Sequence, residues 1–279
     1  MRHIIVTGAN KGLGYGIVKN LALQSKTPTK IYLTARDQDK GKAALRSVIS
    51  ETQNKLGEGI SVAFHQLDIT VDDSIKNFVQ FLKSSYGNQC VDVLINNAGY
   101  ATKGPHFDGK VAESTLGCNY FGTVKLTEEI LGLMKQEGRI IFLSGILGKL
   151  KNVPKHMQDI YSSDTLDMQQ LNEIQKDFVD SAFKGLCEQK GYPKQAYAVS
   201  KVGITAYARV LARRFANDPR HLFFGAVDPG WVKTDMGGSS APLSVDQGVQ
   251  TPVHLANADI DSLSKYNGMF FSRKAVAKW

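Results

Sequence analysis

Tyr197 and Lys201 stand four residues apart at the start of a helical pattern that runs to about Phe215. A four-residue separation places the phenol and the ammonium on the same helix face. Free tyrosine, with a pKa of about 10, is a poor acid–base group at neutral pH, and a neighbouring cation lowers that pKa because it favours the phenolate. The pair is therefore a candidate proton-transfer device. Tyr-x-x-x-Lys also occurs on ordinary surface helices, so a second motif is needed.

That second motif is a glycine-rich turn directly after the first predicted strand. Residues 7–14 read Thr-Gly-Ala-Asn-Lys-Gly-Leu-Gly. Glycines in such a turn let a pyrophosphate approach the N-terminus of the following helix, where free N–H groups and the dipole favour an anion. The spacing is Gly-x-x-x-Gly-x-Gly, and its position between a strand and a helix predicts dinucleotide binding. The expected cofactor contacts in this loop are Gly8, Asn10, Lys11, Gly12, Leu13 and Gly14.

The end of the second predicted strand bears on which dinucleotide binds. Arg36 lies 22 residues after Gly14, and an arginine there suits the 2′-phosphate of NADPH. Lys11 adds a second cation in the glycine loop. An alternative remains open, in which Arg36 pairs with a surface aspartate and Asp37 bonds the ribose hydroxyls of NAD. Two converging cations favour NADPH.

Polar residues also follow the third and fourth predicted strands. Asp68 could accept a hydrogen bond from an adenine amino group or, alternatively, cap the next helix. Asn97 lies in Asn-Asn-Ala-Gly at the carboxyl edge of the sheet, where ligands of such folds bind. Adjacent asparagines also occur as plain turn residues.

Apolar, β-rich runs alternate with helical patterns along the whole chain, which predicts an α/β fold with a doubly wound, Rossmann-type parallel sheet. No linker divides the 279 residues, so we expect a single domain over 1–279. Residues 149–193 lack a strand signal and predict a helical insertion before Tyr197. The predicted strands are Ile4–Thr7, Ile31–Thr34, Ile60–Leu67, Val91–Ile95, Arg139–Leu143, Leu222–Val227 and Met269–Phe271.

Composition excludes several other classes of protein. The net charge of +8 comes from cations spread along the chain, so we expect no nucleic-acid partner. Three scattered cysteines and six histidines without ligand spacing predict neither disulfides nor a metal site. The sequence has no Gly-x-Ser-x-Gly motif, so we do not expect a serine hydrolase. The absence of a leader pattern and of any long apolar run predicts a cytoplasmic protein without a membrane partner.

Taken in order, Thr-Gly-x-x-x-Gly-x-Gly, Asn-Asn-Ala-Gly, Tyr-x-x-x-Lys and Pro-Gly at 229–230 resemble the short-chain dehydrogenase/reductase family over essentially the whole chain. Residues 33–37, 65–69, 119–123, 229–236 and the final Trp279 are more narrowly similar to the monomeric, NADPH-dependent carbonyl reductases of that family. The resemblance implies a small-molecule carbonyl substrate. The helical insertion implies a monomer, because it covers the face that other members use to form tetramers.

The resemblance also implies roles for individual residues. Tyr197 would donate a proton, Lys201 would lower its pKa and bind ribose, and Asn119 would hold a water of the proton relay. Trp231 would form a wall of the carbonyl pocket. The implied cofactor contacts are Lys11 and Arg36 to the 2′-phosphate, Asp68 and Ile69 to adenine, Asn97 to ribose, and Val232 and Thr234 to the carboxamide.

One position departs from the family. A serine that polarises the substrate carbonyl is expected three residues before Gly148, and this chain has Gly145 there with Ser144 just before it. Successive side chains of a strand face opposite ways, so Ser144 can replace the missing serine only through a local bulge, which Gly145 would permit. Alternatively, Gly145 admits a water or leaves room for substrate.

The sequence therefore supports two alternative functions. The first is NADPH-dependent reduction of ketones, aldehydes or quinones, with Tyr197 as proton donor. The second is a catalytically weakened, NADPH-binding sensor or partner-binding module, motivated by Gly145.

Overall fold

The computed structural model describes residues 1–53, 55–102 and 104–279. Over these residues the strands form one sheet in the order β3-β2-β1-β4-β5-β6-β7-β8, parallel except for the antiparallel β8. The strand order reverses between β1 and β4, and the crevice beyond that switch point is where such sheets bind ligands. The strands are β1 (Arg2–Val6), β2 (Thr29–Ala35), β3 (Ile60–Gln66), β4 (Val91–Asn96), β5 (Met134–Leu143), β6 (Phe223–Asp228), β7 (Phe270–Ser272) and β8 (Ala275–Val276).

Helices cover both faces of the sheet, as near-continuous apolar strands require. Ile4 and Val6 pack into one hydrophobic cluster, whereas Ile5 between them packs into a second cluster on the opposite face. The doubly wound parallel sheet predicted from the sequence is therefore confirmed. The helices are α1 (Gly12–Gln24), α2 (Gln38–Thr52), α3 (Asp72–Tyr86), α4 (Gly109–Leu116), α5 (Thr123–Leu131), α6 (Lys155–Ser162), α7 (Met168–Phe183), α8 (Ala196–Arg214), α9 (Val245–Gly248), α10 (Gln250–Asn257) and α11 (Ile260–Ser264).

Each of the seven predicted strands overlaps a strand of the structure, with two differences at the edges. β5 begins at Met134, five residues before the predicted start, and its register with β4 shifts between Val91 and Val93. The two-residue β8 was not predicted, because two exposed residues carry too little apolar signal to mark a strand. No helix in the described ranges is long and apolar enough to cross a membrane.

The segment 149–193 contains α6 and α7, and α7 packs against α4 and α8. Asp167 and Gln170 form a capping box that begins α7. A buried side chain, Gln175, reaches α8 at Gly203, where an added Cβ would lie 2.5 Å from Gln175 Nε2. Gly203 therefore lets the inserted helix sit close to the helix that carries Tyr197 and Lys201.

Gly203→Ala tests this packing. Alanine normally stabilises a helix relative to glycine, but here the new Cβ overpacks against a buried side chain. We expect the free energy of unfolding to fall by about 1–3 kcal/mol in a urea titration. The matched control is Gly132→Ala, at a φ of −68° with no atom within 4 Å of the added Cβ, which should leave stability unchanged or raise it. Equal stability of the two variants would contradict the close α7–α8 contact.

Candidate active site

The glycine loop (residues 7–14) lies at the carboxyl ends of β1 and β4, where the strand order reverses. Gly8 and Gly12 adopt φ values of +60° and +57°, which favour glycine. A Cβ on Gly14 would lie 2.4 Å from Asn97 Nδ2 and 2.7 Å from the Gly8 carbonyl oxygen. The glycines of this loop thus stand at positions where a larger side chain would be strained or would clash.

Asn97 fastens this loop to the end of β4. Its Nδ2 donates to the carbonyl oxygens of Thr7, at 2.7 Å, and Gly8, at 3.1 Å. The hydroxyl oxygen of Thr7 in turn accepts from the backbone N–H groups of Asn97 and Ala98. Asn97 therefore holds the glycine loop in place and is not only a turn residue. Its expected contact with a ribose stays a prediction.

At the tip of β2 the two neighbours Arg36 and Asp37 have different environments. Asp37 is the N-cap of α2 and accepts from the backbone N–H of Lys40 at 2.9 Å, which lowers the pKa of that carboxyl. The Arg36 side chain is exposed, and its backbone carbonyl oxygen accepts from Gln66 Nε2 at 3.0 Å. The carboxylate that could have favoured NAD is occupied in capping a helix.

Asp68 and Ile69 follow β3 at the same edge of the sheet. Asp68 Oδ1 accepts from the backbone N–H of Thr70 at 2.9 Å and from its hydroxyl at 2.6 Å, so it forms a tight turn. The N-cap of α3 is Val71, and the alternative of Asp68 as a helix cap is therefore wrong. Ile69 is buried, and its carbonyl oxygen would lie 2.5 Å from a Cβ added to Gly122.

Asn119 lies in a π-helical turn (Gly117–Gly122) that joins α4 to α5. Such turns are rare and are frequent at functional sites. The buried Asn119 accepts from the Tyr100 backbone N–H at 2.6 Å, and its Nδ2 donates to the Tyr100 carbonyl oxygen at 2.9 Å and to Ser200 Oγ at 3.0 Å. Ser200 Oγ donates to the Tyr197 carbonyl oxygen at 2.8 Å. The turn is thereby tied to the first turn of α8.

Lys201 is almost completely buried and donates from Nζ to the carbonyl oxygen of Leu143, the last residue of β5, at 2.6 Å. Its Nζ lies 5.6 Å from the centroid of the Tyr197 ring. A Cβ on Gly99 would lie 3.5 Å from Asn119 Oδ1 and 3.6 Å from Lys201 Nζ. Four segments therefore converge here: the ends of β4 and β5, the π-helical turn, and α8.

Burial moves the two titratable groups of α8 in opposite directions. It lowers the pKa of Lys201 to about 8 and raises the pKa of Tyr197 to about 12. Without a cofactor, burial sets the direction of the Tyr197 pKa, and the role of Lys201 in lowering that pKa stays a prediction. The physical reason is that the phenolate loses solvation while the ammonium is directed to Leu143. At neutral pH Tyr197 is a protonated phenol, the form that can donate a proton.

Ser144 does not present its hydroxyl as a replacement for the missing serine. Its Oγ donates to the Lys201 carbonyl oxygen at 3.1 Å and lies 2.7 Å from Thr205 Oγ1. The residue is buried and continues the strand's alternation, so its side chain packs against α8. This geometry argues against Ser144 as a group that acts on substrate.

Gly145 breaks that alternation in the backbone. Its φ is +113°, and the N–H groups of Ser144 and Gly145 both donate to the Val227 carbonyl oxygen, at 2.9 and 3.1 Å. No described atom lies within 4 Å of a Cβ added to Gly145. The position thus differs from the family pattern in backbone conformation as well as in side chain, and it has open space beside it.

The 229–243 loop after β6 packs on the glycine loop. Val232 is buried, and a Cβ on Gly248 would lie 2.5 Å from Val232 Cγ2 and 2.9 Å from Leu13 Cδ2. Thr234 Cγ2 would lie 3.4 Å from a Cβ on Gly12. Trp231 is 54% exposed and donates from its indole N–H to the Gly237 carbonyl oxygen at 2.8 Å.

Sequence reasoning missed several parts of this site. Tyr100 fixes the amide of Asn119 through its backbone, and its side chain is exposed. Its position directly after Asn-Asn-Ala-Gly was the available signal. Ser200 lies between Tyr197 and Lys201, so the motif itself could have indicated it. The Leu143 carbonyl carried no signal, because any residue supplies one.

A family model described as short chain dehydrogenase matches residues 2–164. Carbonyl reductase (NADPH) 1 of Bos taurus is 37% identical over 284 residues, which cover 99% of this chain and 97% of the bovine protein. The Homo sapiens protein of the same name is 37% identical over 281 residues, with 99% and 97% covered. The chain therefore belongs to the short-chain dehydrogenase/reductase family. Its fold is similar to that of salutaridine reductase from Papaver somniferum, with a TM-score of 0.84 at 26% identity, covering 97% of this chain and 99% of that one.

The buried ammonium of Lys201 yields a prediction about pH and stability. Its pKa of about 8 lies below the ordinary value for lysine, about 10.4. Below pH 8 the native protein therefore buries a charged ammonium, which lowers the free energy of unfolding. Between these values the unfolded chain binds more protons than the native protein, and stability rises with pH. Without cofactor, Lys201→Met should therefore be about 1–3 kcal/mol more stable than the wild type at pH 7, with the advantage shrinking as pH rises above 8.

Urea titrations at a series of pH values measure this difference. Lys176→Met, on an exposed face of α7, controls for the exchange of lysine for methionine itself. A Lys201→Met protein less stable than the wild type at pH 7 would contradict the cost assigned to the buried ammonium.

Proposed function

We propose that this protein reduces carbonyl compounds with NADPH and that Tyr197 supplies the proton. The observation that carries the proposal is the convergence of Tyr197, the buried Lys201 and Asn119 beside the glycine loop. Relatives named as NADPH carbonyl reductases support the same assignment over 99% of the chain. The enzyme is an oxidoreductase whose partner is a small-molecule carbonyl substrate.

The residues around the crevice fit NADPH. A Cβ is excluded at Gly14 by Asn97 and Gly8, which favours close approach of a pyrophosphate. Arg36 is exposed at the tip of β2 while Asp37 caps α2, which favours a 2′-phosphate over free ribose hydroxyls. When bound, NADPH supplies a hydride. The residues that would hold it are Gly8, Asn10, Lys11, Gly12, Leu13, Gly14, Arg36, Asp68, Ile69, Asn97, Tyr197, Lys201, Val232 and Thr234.

Side chains of the protein donate the proton and allow it to be replaced. Tyr197 is protonated at neutral pH, since burial raises its pKa to about 12, and its hydroxyl donates to the carbonyl oxygen as negative charge develops there. The nearby Lys201 ammonium stabilises the phenolate that remains. Asn119, fixed by Tyr100 and Ser200, would hold the water through which Tyr197 regains a proton.

Gly145 narrows the class of substrate. In the family pattern a serine hydroxyl polarises the carbonyl, and loss of a comparable donor costs about 10²–10³ in rate. The open space beside Gly145 and the engaged hydroxyl of Ser144 leave Tyr197 as the donor to the carbonyl oxygen. Activated carbonyls, such as ortho-quinones and vicinal diketones, need polarisation least. The exposed Trp231 would form an apolar wall for them.

We also propose that the enzyme is a monomer of the cytoplasm. α7 packs on α4 and α8 and buries Phe178 against them, and the family resemblance implies that this is the face other members use for association. The three cysteines are free thiols in the structure, in keeping with a reducing compartment.

The second candidate function is that of a cofactor-binding sensor or partner-binding module. Gly145 is the observation that favours it, since a φ of +113° cannot simply accept the missing serine. Such a module would bind NADPH without catalysing reduction.

Tyr197→Phe tests the first candidate. It removes the proton donor while keeping the ring, and a general acid is worth about 10²–10⁴ in rate. We expect NADPH oxidation with an ortho-quinone to fall by about that factor, while the dissociation constant of NADPH, measured by titration calorimetry, changes little. Full activity in this variant would refute the assignment of Tyr197.

Gly145→Ser and Gly145→Ala, compared with each other, test the role of the missing hydroxyl. Both must move the backbone from a φ of +113°, at a cost of about 1–3 kcal/mol, and only one adds a donor. With a simple ketone, Gly145→Ser should exceed Gly145→Ala by about tenfold or more, and with a vicinal diketone the difference should be much smaller. Equal and negligible turnover of both variants and of the wild type would favour the binding module.

A further inference from the structure

An ion pair joins the glycine loop to the loop that follows β6. Lys11 Nζ lies 2.6 Å from Asp235 Oδ2, and the two side chains are 67% and 73% exposed. The residues are 224 positions apart, so the pair exists only because the two loops meet in the fold. Such an exposed pair is weak and can be displaced by a stronger anion.

Asp235 is positioned by the loop around it. Thr234 Oγ1 accepts from the Gly237 N–H at 3.0 Å, and the Thr234 carbonyl oxygen accepts from the Gly238 N–H at 2.8 Å. Trp231 closes the same turn through its bond to Gly237. The carboxylate of Asp235 and the indole of Trp231 therefore belong to one hydrogen-bonded turn.

The glycine loop meets this turn at two consecutive residues. Lys11 pairs with Asp235, and Gly12 lies against Thr234. The next residue, Leu13, lies against Gly248, as does Val232, the neighbour of Trp231. The ion pair is therefore close in the chain to the residues that carry Trp231.

We propose that Asp235 sets the affinity for the phosphorylated cofactor by competing with its 2′-phosphate for Lys11. This inference rests on the proposed function, in which Lys11 and Arg36 hold the 2′-phosphate. One ammonium shared by a carboxylate and a phosphate interacts less strongly with each, and the carboxylate repels a dianion nearby. Asp235 therefore weakens binding of NADPH and leaves NADH unaffected, and departure of Lys11 from Asp235 alters the turn that bears Trp231.

The first test compares dissociation constants by titration calorimetry. Asp235→Asn should bind NADPH about twofold to fivefold more tightly than the wild type, the range for an exposed ion pair, with no change for NADH. Asp246→Asn, another exposed aspartate after β6, controls for the added unit of net charge. In a Lys11→Met background the gain from Asp235→Asn should shrink to the part that comes from direct repulsion of the phosphate, and the double-mutant cycle measures the part that acts through Lys11.

The second test uses fluorescence and no turnover. Trp231 and Trp279 are the two tryptophans of the chain, so a Trp279→Phe background leaves Trp231 as the reporter of its turn. Adenosine 2′-monophosphate should change Trp231 emission, and adenosine 5′-monophosphate should not.

The outcomes separate this proposal from the function on which it rests. Wild-type protein that fails to bind NADPH would contradict both. Wild-type binding of NADPH, together with an unchanged or weaker affinity in Asp235→Asn or an equal gain for NADH, would overturn this proposal alone. Equal emission changes with the two monophosphates would overturn the coupling to Trp231.

Discussion

The buried ammonium of Lys201 is the constraint around which the site is arranged. A charge removed from water is costly unless oxygen atoms replace the solvent, and here the carbonyl of Leu143 lies 2.6 Å from Nζ. The apolar clusters on both sheet faces stabilise the fold and offset the free-energy cost of burying this ammonium. Burial also sets the chemistry, since the same environment that lowers the pKa of Lys201 keeps Tyr197 protonated.

The end of β5 shows how one constraint fixes several neighbours. Leu143 offers its carbonyl to Lys201, and the alternation of the strand directs the next side chain, Ser144, toward α8, where it meets the Lys201 carbonyl oxygen and Thr205. Gly145 then bends the chain through a backbone conformation that favours glycine. The absent catalytic serine is thus part of a rearranged strand end, and such a site favours substrates whose carbonyl needs little polarisation.

The sequence predicts the elements and the edge of the sheet at which the site lies, because apolar alternation and glycine spacing are local signals. The glycine loop and the pair on α8 belong to this predictable part. The partners of Asn119 and Lys201 do not, since Asn119 and Ser200 are 81 residues apart and meet only through the packing of the π-helical turn on α8. The raised pKa of Tyr197 was missed for the same reason, because burial is a property of the assembled fold. The direction of Ser144 could be anticipated from strand alternation alone.

The central claim is that Tyr197, Lys201 and Asn119 support hydride transfer to a carbonyl without the family's serine. Single-turnover reaction of the wild-type protein with NADPH deuterated at C4 of the nicotinamide and a vicinal diketone tests it most directly. We expect mass spectrometry to find deuterium at the carbinol carbon of the hydroxyketone product, and only when the cofactor carries deuterium in one of the two C4 configurations. Stoichiometric binding of NADPH with no deuterium in any product would contradict it.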